Sequence, residues 1–271
     1  MDLGLQGKTI FITGGSKGIG RATALAYGKE PGAQVAISYC HSREAANEIV
    51  QLIEAGGGKA MAVEMDLAAP GSLELAVSQI SRQWGGIDVL VNNAVVWGDP
   101  SNRGKNLEEQ PWEAWQEMIN INLLGTVKLT RLVVPFMRSR GWGRIVNISS
   151  DLSTDSMKGS GPYSTLKAAY VGFIANLVEE YAAFNILSNN VLPSWTLTER
   201  AKKFFPAQTH ETLSKAYPTG RITLPEDVAS LILYLGSAAN GHVNGESIRV
   251  TGKASMPLLN YLFKEVRATN A

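Results

Sequence analysis

Short apolar runs alternate with longer amphipathic stretches along most of this chain. Runs of five to seven residues recur at Thr9–Thr13, Gln34–Tyr39, Lys59–Met65, Ile87–Val91, Arg144–Ile148, Ile186–Leu192 and Glu246–Val250. Their length and β-branched content read as buried strands. Between them, helical periodicity predicts helices at Arg21–Gly28, Ser42–Ala55, Pro70–Trp84, Pro111–Arg140, Tyr163–Phe184 and Pro225–Leu235. Ser42 is a suitable N-cap, Gly56 a stop, Gly85-Gly86 an end signal, and Pro225 sits at the favoured first helical position. Pro135 predicts a kink late in its helix. Val95–Gln110 has no clear period and contains Asp99-Pro100, so it reads as a loop. Glu199–Tyr217 is helical in pattern but broken by Pro206, as in a mobile lid.

Strands alternating with helices at this spacing imply a mainly parallel sheet covered on both faces. Right-handed crossovers make that a doubly wound α/β fold, in which ligands bind beyond the C-terminal ends of the strands. Gly14–Gly20, Asp66, Asn92, Ser150 and Pro193 all directly follow predicted strands. They are therefore expected along one edge of the sheet. There is no internal repeat, low-complexity tract or linker, so residues 1–271 read as a single domain. Its expected appendages are a lid at about 194–220 and a C-terminal extension at about 254–271.

Composition narrows the function classes. A net charge of +1 offers no global attraction to nucleic acid or anionic membrane. Cys40 is the sole cysteine, which excludes an intramolecular disulfide and fits a reducing compartment. No window approaches the apolar length of a membrane span, and Met1–Lys8 lacks a signal-peptide core. A cytoplasmic location is the resulting expectation. No metal-binding cluster stands out.

Two stretches carry chemistry. The run Gly14-Gly15-Ser16-Lys17-Gly18-Ile19-Gly20 joins a strand to a helix. That arrangement presents backbone N–H groups and the positive end of a helix to a phosphate, with side chains removed where the phosphate approaches. The second stretch is Ser150–Lys167. Tyr163 and Lys167, at i and i+4, share a helix face. A phenol is a poor acid or base at neutral pH, and a nearby ammonium lowers its pKa. A hydroxyl from a neighbouring segment would hold a substrate oxygen beside it. The set suits proton transfer to or from an alcohol or carbonyl oxygen.

Taken together, Thr13-Gly14-x-x-x-Gly18-Ile19-Gly20, Asp66-Leu67, Asn92-Asn93-Ala94, Asn122-Leu-Leu-Gly125, Ser149-Ser150 and Tyr163-x-x-x-Lys167 resemble the short-chain dehydrogenase/reductase family. The resemblance spans about Leu5 to Gly252 and is nearest in flavour to 3-oxoacyl-carrier-protein reductases and secondary-metabolism ketoreductases. It implies a Rossmann fold and NAD(P)-dependent interconversion of a carbonyl and an alcohol. Tyr163 would be general acid in reduction and general base in oxidation. Lys167 would lower its pKa and bind the nicotinamide ribose. Ser150 would hold the substrate oxygen, with Ser149 the runner-up. Asn122, favoured over Asn120, would position Lys167 through water. The cofactor-binding set implied by the family comprises Gly14, Ser16, Lys17, Gly18, Ile19, Gly20, Tyr39, Arg43, Asp66, Leu67, Asn92, Ala94, Pro193 and Thr196, together with Tyr163 and Lys167. Asp66 would meet the adenine and Asn92 the cofactor ribose.

The tip of the second strand, Tyr39-Cys40-His41, lacks the acid that holds an NAD ribose, while Lys17 and Arg43 suit a 2′-phosphate. NADP(H) is expected over NAD(H). Three positions depart from the family pattern: Val95 replaces the Gly after Asn-Asn-Ala, Ser194 the Gly after Pro193, and Lys253 the Gly after Gly252. These motivate an alternative in which the fold binds NADP(H) for a redox-neutral cyclase or isomerase reaction, or as a sensor. Val96, Trp97, Leu152, Met157, Trp195, Phe204 and Phe205 would line a pocket for a bulky, largely apolar substrate. Arg200, Lys202 and Lys203 either meet an acidic carrier protein or form a solvated face. The resemblance also implies a homo-oligomer, tetramer or dimer, through the 111–140 and 163–184 helices. Pro257–Val266 is apolar enough to form a docking helix.

Overall fold

A computed structural model of the chain describes residues 2–102, 104–155, 157–204, 207–215 and 217–253. The expected docking helix at 257–266, with Phe205, Pro206 and the Phe204 side chain, lies outside what is described. Strands β1 (Thr9–Ile12), β2 (Gln34–Tyr39), β3 (Lys59–Glu64), β4 (Val89–Asn92), β5 (Gly143–Ile148), β6 (Ile186–Pro193) and β7 (Ser247–Val250) pair in parallel. Among the described residues they make one seven-stranded sheet in the order β3-β2-β1-β4-β5-β6-β7. The order reverses between β1 and β4, and a doubly wound sheet opens its ligand crevice at such a point.

The two-residue period of each strand divides the core between the faces of the sheet. Ile10, Ile12, Val35, Ile37, Val89, Val91, Val146 and Ile148 pack on one side. Helices α1 (Gly18–Gly28), α2 (Arg43–Ala55) and α9 (Pro225–Leu235) cover them with Tyr27, Ile49, Ile53, Val228 and Ile232. Phe11, Ala36, Leu90 and Ile145 face the other side. There α3 (Pro70–Trp84), α5 (Leu124–Arg140) and α6 (Gly161–Tyr181) supply Leu73, Ile80, Leu129, Val133, Met137 and Leu177. Each fully buried branched side chain is worth about 1.5–3 kcal/mol, so both layers are firmly held.

Several predicted boundaries move for identifiable reasons. The first helix begins at Gly18, inside the glycine turn, so the turn already points helical N–H groups outward. Ser42 makes no side-chain capping bond, and its Oγ instead accepts from Lys17 Nζ at 2.8 Å. The fourth strand starts at Val89, and the Asp88 carboxylate before it accepts from the Thr9 N–H at 2.8 Å. The long helix predicted at 111–140 is three pieces: α4 (Trp112–Glu117), a π-helical turn (Met118–Leu123) and α5. The expected lid holds two short helices, α7 (Glu199–Phe204) and α8 (Ala207–Ser214). Lys253 adopts φ +66°, a left-handed conformation that a glycine would take without strain.

Candidate active site

The glycine turn is held from below by the β4 end. Asn93 Nδ2 donates to the carbonyls of Thr13 at 2.9 Å and Gly14 at 3.1 Å. Thr13 Oγ1 accepts from the N–H groups of Asn93 and Ala94, both at 2.9 Å. This clasp needs Gly20, whose Cβ would fall 2.3 Å from the Gly14 carbonyl and 2.6 Å from Asn93 Nδ2. Gly14 and Gly18 have φ of +65° and +55°. Half-buried Ile19 anchors the turn in the core, while Ser16 and Lys17 stay on its outer side. At the mouth, Gly18 N–H donates to Glu199 Oε2 at 3.1 Å. A carboxylate thus occupies the spot where a helix N-terminus receives an anion. The residues present therefore fit a dinucleotide pyrophosphate.

Asn92 takes a different part from the one expected. It is buried, and its Nδ2 donates to Asn147 Oδ1 at 2.8 Å and Thr130 Oγ1 at 3.2 Å. Asn147 in turn donates to Asn190, and Asn190 to Ser247 Oγ. The Asn92 Nδ2 is thus spent in a polar ladder across β4 to β7. Asn93, one residue on, is the side chain that serves the glycine turn.

The adenosine end gathers around β2 and β3. Asp66 Oδ1 accepts from the Ala68 N–H at 2.9 Å, and the Asp66 N–H donates to Ser72 Oγ at 2.9 Å. Leu67 is buried, and a Cβ at Gly125 would approach its carbonyl to 3.2 Å. Tyr39 is buried at the tip of β2, with the Arg43 guanidinium 5.9 Å from its ring centre. Arg43 is not free for a phosphate as expected. Its Nη2 pairs with Glu64 Oε2 at 2.9 Å, across two exposed side chains.

The catalytic candidates converge at the end of β5 and the start of α6. Ser150 Oγ accepts from the Leu152 N–H and donates to Asp151 Oδ1, both at 3.2 Å. Ser149 is excluded as the substrate-holding hydroxyl, because its Oγ donates to the Lys167 carbonyl at 2.8 Å. Lys167 Nζ is buried, donates to the Ile148 carbonyl at 2.6 Å, and lies 5.5 Å from the Tyr163 ring centre. Burial pushes the Lys167 amine down to about 7 and holds the Tyr163 phenol above its ordinary range, against the lowering effect of Ser150. This reverses the expectation from sequence: among the chain's own groups, desolvation outweighs any help the ammonium gives the phenol.

Asn122 sits in the π-helical turn, a feature often found at functional sites. Its Oδ1 accepts from the Val96 N–H at 2.7 Å, and its Nδ2 donates to the carbonyls of Val96 at 3.1 Å and Met118 at 3.3 Å. The carboxamide therefore fixes the β4–α4 loop. That loop carries Trp97, which stacks on Tyr163 at 5.4 Å between ring centres and 16° between planes. Arg200 of the lid lies 4.9 Å over the other ring system of the pair, that of Trp97. Leu152, Met157 and Trp195 pack with Leu213, Tyr217 and Ile222 in a separate apolar cluster. Pro193 ends β6, and Thr196 Oγ1 donates to the Ser194 carbonyl at 2.9 Å. Thr198 crosses the glycine turn, 3.1 Å from where a Gly18 Cβ would stand.

Sequence reasoning misses Asp151, Trp97 as a partner of Tyr163, and Glu199 at the turn. Asp151 is visible in the chain as an acid directly after Ser150, but its burial is not. Among the described residues no cluster of potential ligands suits a metal ion, and no helix is long and apolar enough to cross a membrane.

A family model described as short chain dehydrogenase matches residues 8–209. The chain is 34% identical over 252 residues to a 3-oxoacyl-[acyl-carrier-protein] reductase of Aquifex aeolicus, covering 93% of this chain and 99% of that one. It is 32% identical over 245 residues to an acetoacetyl-CoA reductase of Shinella zoogloeoides, covering 90% and 97%. Its fold matches a 7α-hydroxysteroid dehydrogenase solved with NADH and 7-oxoglycochenodeoxycholic acid. There the TM-score is 0.86 and the identity 28%, over 95% of this chain and 98% of that one.

Proposed function

The chain belongs to the short-chain dehydrogenase family and is an oxidoreductase of that family, and on that premise we propose that it reduces a carbonyl on a bulky, largely apolar substrate with NADPH. Ser150 after β5 with Tyr163 and Lys167 on α6, at the same sheet edge as the glycine turn after β1, carries this reading. The named relatives support a β-ketoacyl thioester as the first candidate, free or tethered to a carrier protein, with a polycyclic ketone the second.

In this reading the glycine turn and the N-terminus of α1 bind the pyrophosphate, Asp66 and Leu67 flank the adenine, and Lys167 holds the nicotinamide ribose. Thr196 and Pro193 border the nicotinamide, which supplies the hydride when bound. Ser150 holds the carbonyl oxygen. Tyr163 gives that oxygen its proton, and takes it back in the oxidative direction. Lys167 favours the phenolate when charged, so anything that restores its proton improves Tyr163 as a base. Asn122 serves the site by fixing the Val96–Trp97 loop.

Lys17, whose Nζ reaches Ser42, supports the preference for NADP(H), with Arg43 available to a 2′-phosphate only by leaving Glu64, which pairs in register with Tyr39. Exposed Leu107, Trp112, Leu124 and Val171, spread over α4–α6 and the turn before, support a homo-oligomer built on these helices, tetramer or dimer. A cytoplasmic setting suits that reading. A monomer in sedimentation at micromolar concentration would refute the assembly.

The test follows cofactor oxidation by absorbance with acetoacetyl-CoA and a panel of polycyclic ketones, using NADPH and NADH in parallel. Turnover that disappears in Tyr163→Phe is the expected result. Tight cofactor binding with no oxidation on any carbonyl overturns it.

A further inference from the structure

A serine hydroxyl has one hydrogen to give and two lone pairs to receive. At Ser150 the hydrogen and one lone pair are engaged within the chain. The hydrogen goes to Asp151 Oδ1 at 3.2 Å, and one lone pair receives the Leu152 N–H at 3.2 Å. A carbonyl oxygen has only lone pairs, so Ser150 can hold it only by donating. The hydrogen needed for that is the one on Asp151.

Asp151 is itself unusual. It is buried at 2% exposure, and among the described residues its Oδ2 has no hydrogen-bond partner. The groups that face it are Tyr163 from α6, Tyr217 from the segment after α8, Asp155 from its own turn and Arg249 from β7. Arg249 is committed to Asp155 at 3.1 Å and to Thr154, so it does not pair with Asp151. A buried carboxyl without a cation holds its proton more firmly than an exposed one.

We infer that Asp151 is a positioning residue that decides whether the Ser150 hydrogen points away from the substrate or toward it. When Asp151 is ionised it draws the hydrogen to Oδ1, and Ser150 offers the substrate nothing. When Asp151 is protonated its own O–H donates to Ser150 Oγ, and the serine hydrogen turns to the carbonyl oxygen. Burial places this change at about pH 6. The inference rests on the carbonyl-reductase reading for its kinetic consequence, though not for the hydrogen bond itself.

Two measurements test it. In protein carrying 13C-labelled aspartate carboxyls, the Asp151 signal should titrate near pH 6, and Ser150→Ala should move that midpoint upward by removing the bond that favours the ionised form. This readout needs no turnover. An unmoved midpoint overturns the inference. The second is single-turnover oxidation of NADPH by acetoacetyl-CoA, which isolates the chemical step. The protonated fraction of a carboxyl with its midpoint near pH 6 drops about tenfold from pH 5 to pH 7, and the wild-type rate should fall with it. Asp151→Asn can donate to Ser150 at every pH, and should change less than about twofold, the part that Lys167 contributes. The same fall in wild type and variant, or no fall in the wild type, overturns the inference. If no carbonyl is turned over, the reductase reading fails, and the carboxyl titration alone decides the role of Asp151.

Discussion

Replacing Lys167 by methionine removes a buried cation and keeps most of the side-chain length. Burial holds the Lys167 amine at about 7, whereas the unfolded chain offers it the ordinary lysine value of 10.5. Between those values the unfolded state binds a proton that the folded state has given up. Stability therefore rises with pH across that window and is lowest below it. At pH 7 the lysine costs the fold about 4 kcal/mol, and at pH 9 about 2 kcal/mol. The variant loses the Nζ bond to the Ile148 carbonyl, which is 2.6 Å long. Leaving that carbonyl unmatched costs about 1–3 kcal/mol. The net expectation is a variant about 1–3 kcal/mol more stable at pH 7, with Tm raised by about 2–4 °C for each kcal/mol. Its advantage should shrink by about 2 kcal/mol between pH 7 and pH 9. Turnover should fall by about 10²–10⁴ because Tyr163 loses its cationic partner. Urea unfolding of both proteins from pH 6 to pH 9 measures the difference, and cofactor oxidation measures the activity. A variant less stable than wild type at pH 7, or a difference that does not vary with pH, would refute the burial argument.

Gly20→Ala should lower Tm by several degrees and weaken cofactor binding more than tenfold, because the new Cβ meets the Gly14 carbonyl and breaks the Asn93 clasp; calorimetry and fluorescence titration check both. Lys17→Ala combined with Arg43→Ala should raise KM for NADPH about tenfold or more and leave KM for NADH nearly unchanged. Glu64→Gln should lower KM for NADPH modestly, by releasing Arg43 from its pair; equal effects on both cofactors would remove the 2′-phosphate assignment. Trp97→Ala should weaken polycyclic ketones more than acetoacetyl-CoA in steady-state KM, since it removes the aromatic face stacked on Tyr163.

Much of this fold is legible in the residues alone. Strand positions follow from runs such as Gln34–Tyr39, where length and β-branching act locally and match the observed element. The shared sheet edge also follows, because parallel strands joined by right-handed crossovers leave little choice of where their C-terminal ends meet. The glycine turn is readable because glycine takes positive φ without strain and has no side chain to block close backbone approach, a demand that the chain records directly.

What the residues alone leave open is the assignment of individual polar side chains. Asn92 and Asn93 are chemically identical neighbours, and only the pleat decides that one enters the β4–β7 ladder while the other holds the glycine turn. Ser149 and Ser150 are likewise interchangeable until the carbonyl of Lys167 claims the first. The π-helical turn at Met118–Leu123 carries no local signature, since it serves a contact between Asn122 and Val96, 26 residues apart. The same holds for charge: Asp151 and Lys167 look ordinary in the chain and become perturbed only when the fold removes their water. Local propensity writes elements into the sequence, whereas burial and long-range hydrogen bonding, which set protonation and partner choice, exist only once those elements are packed.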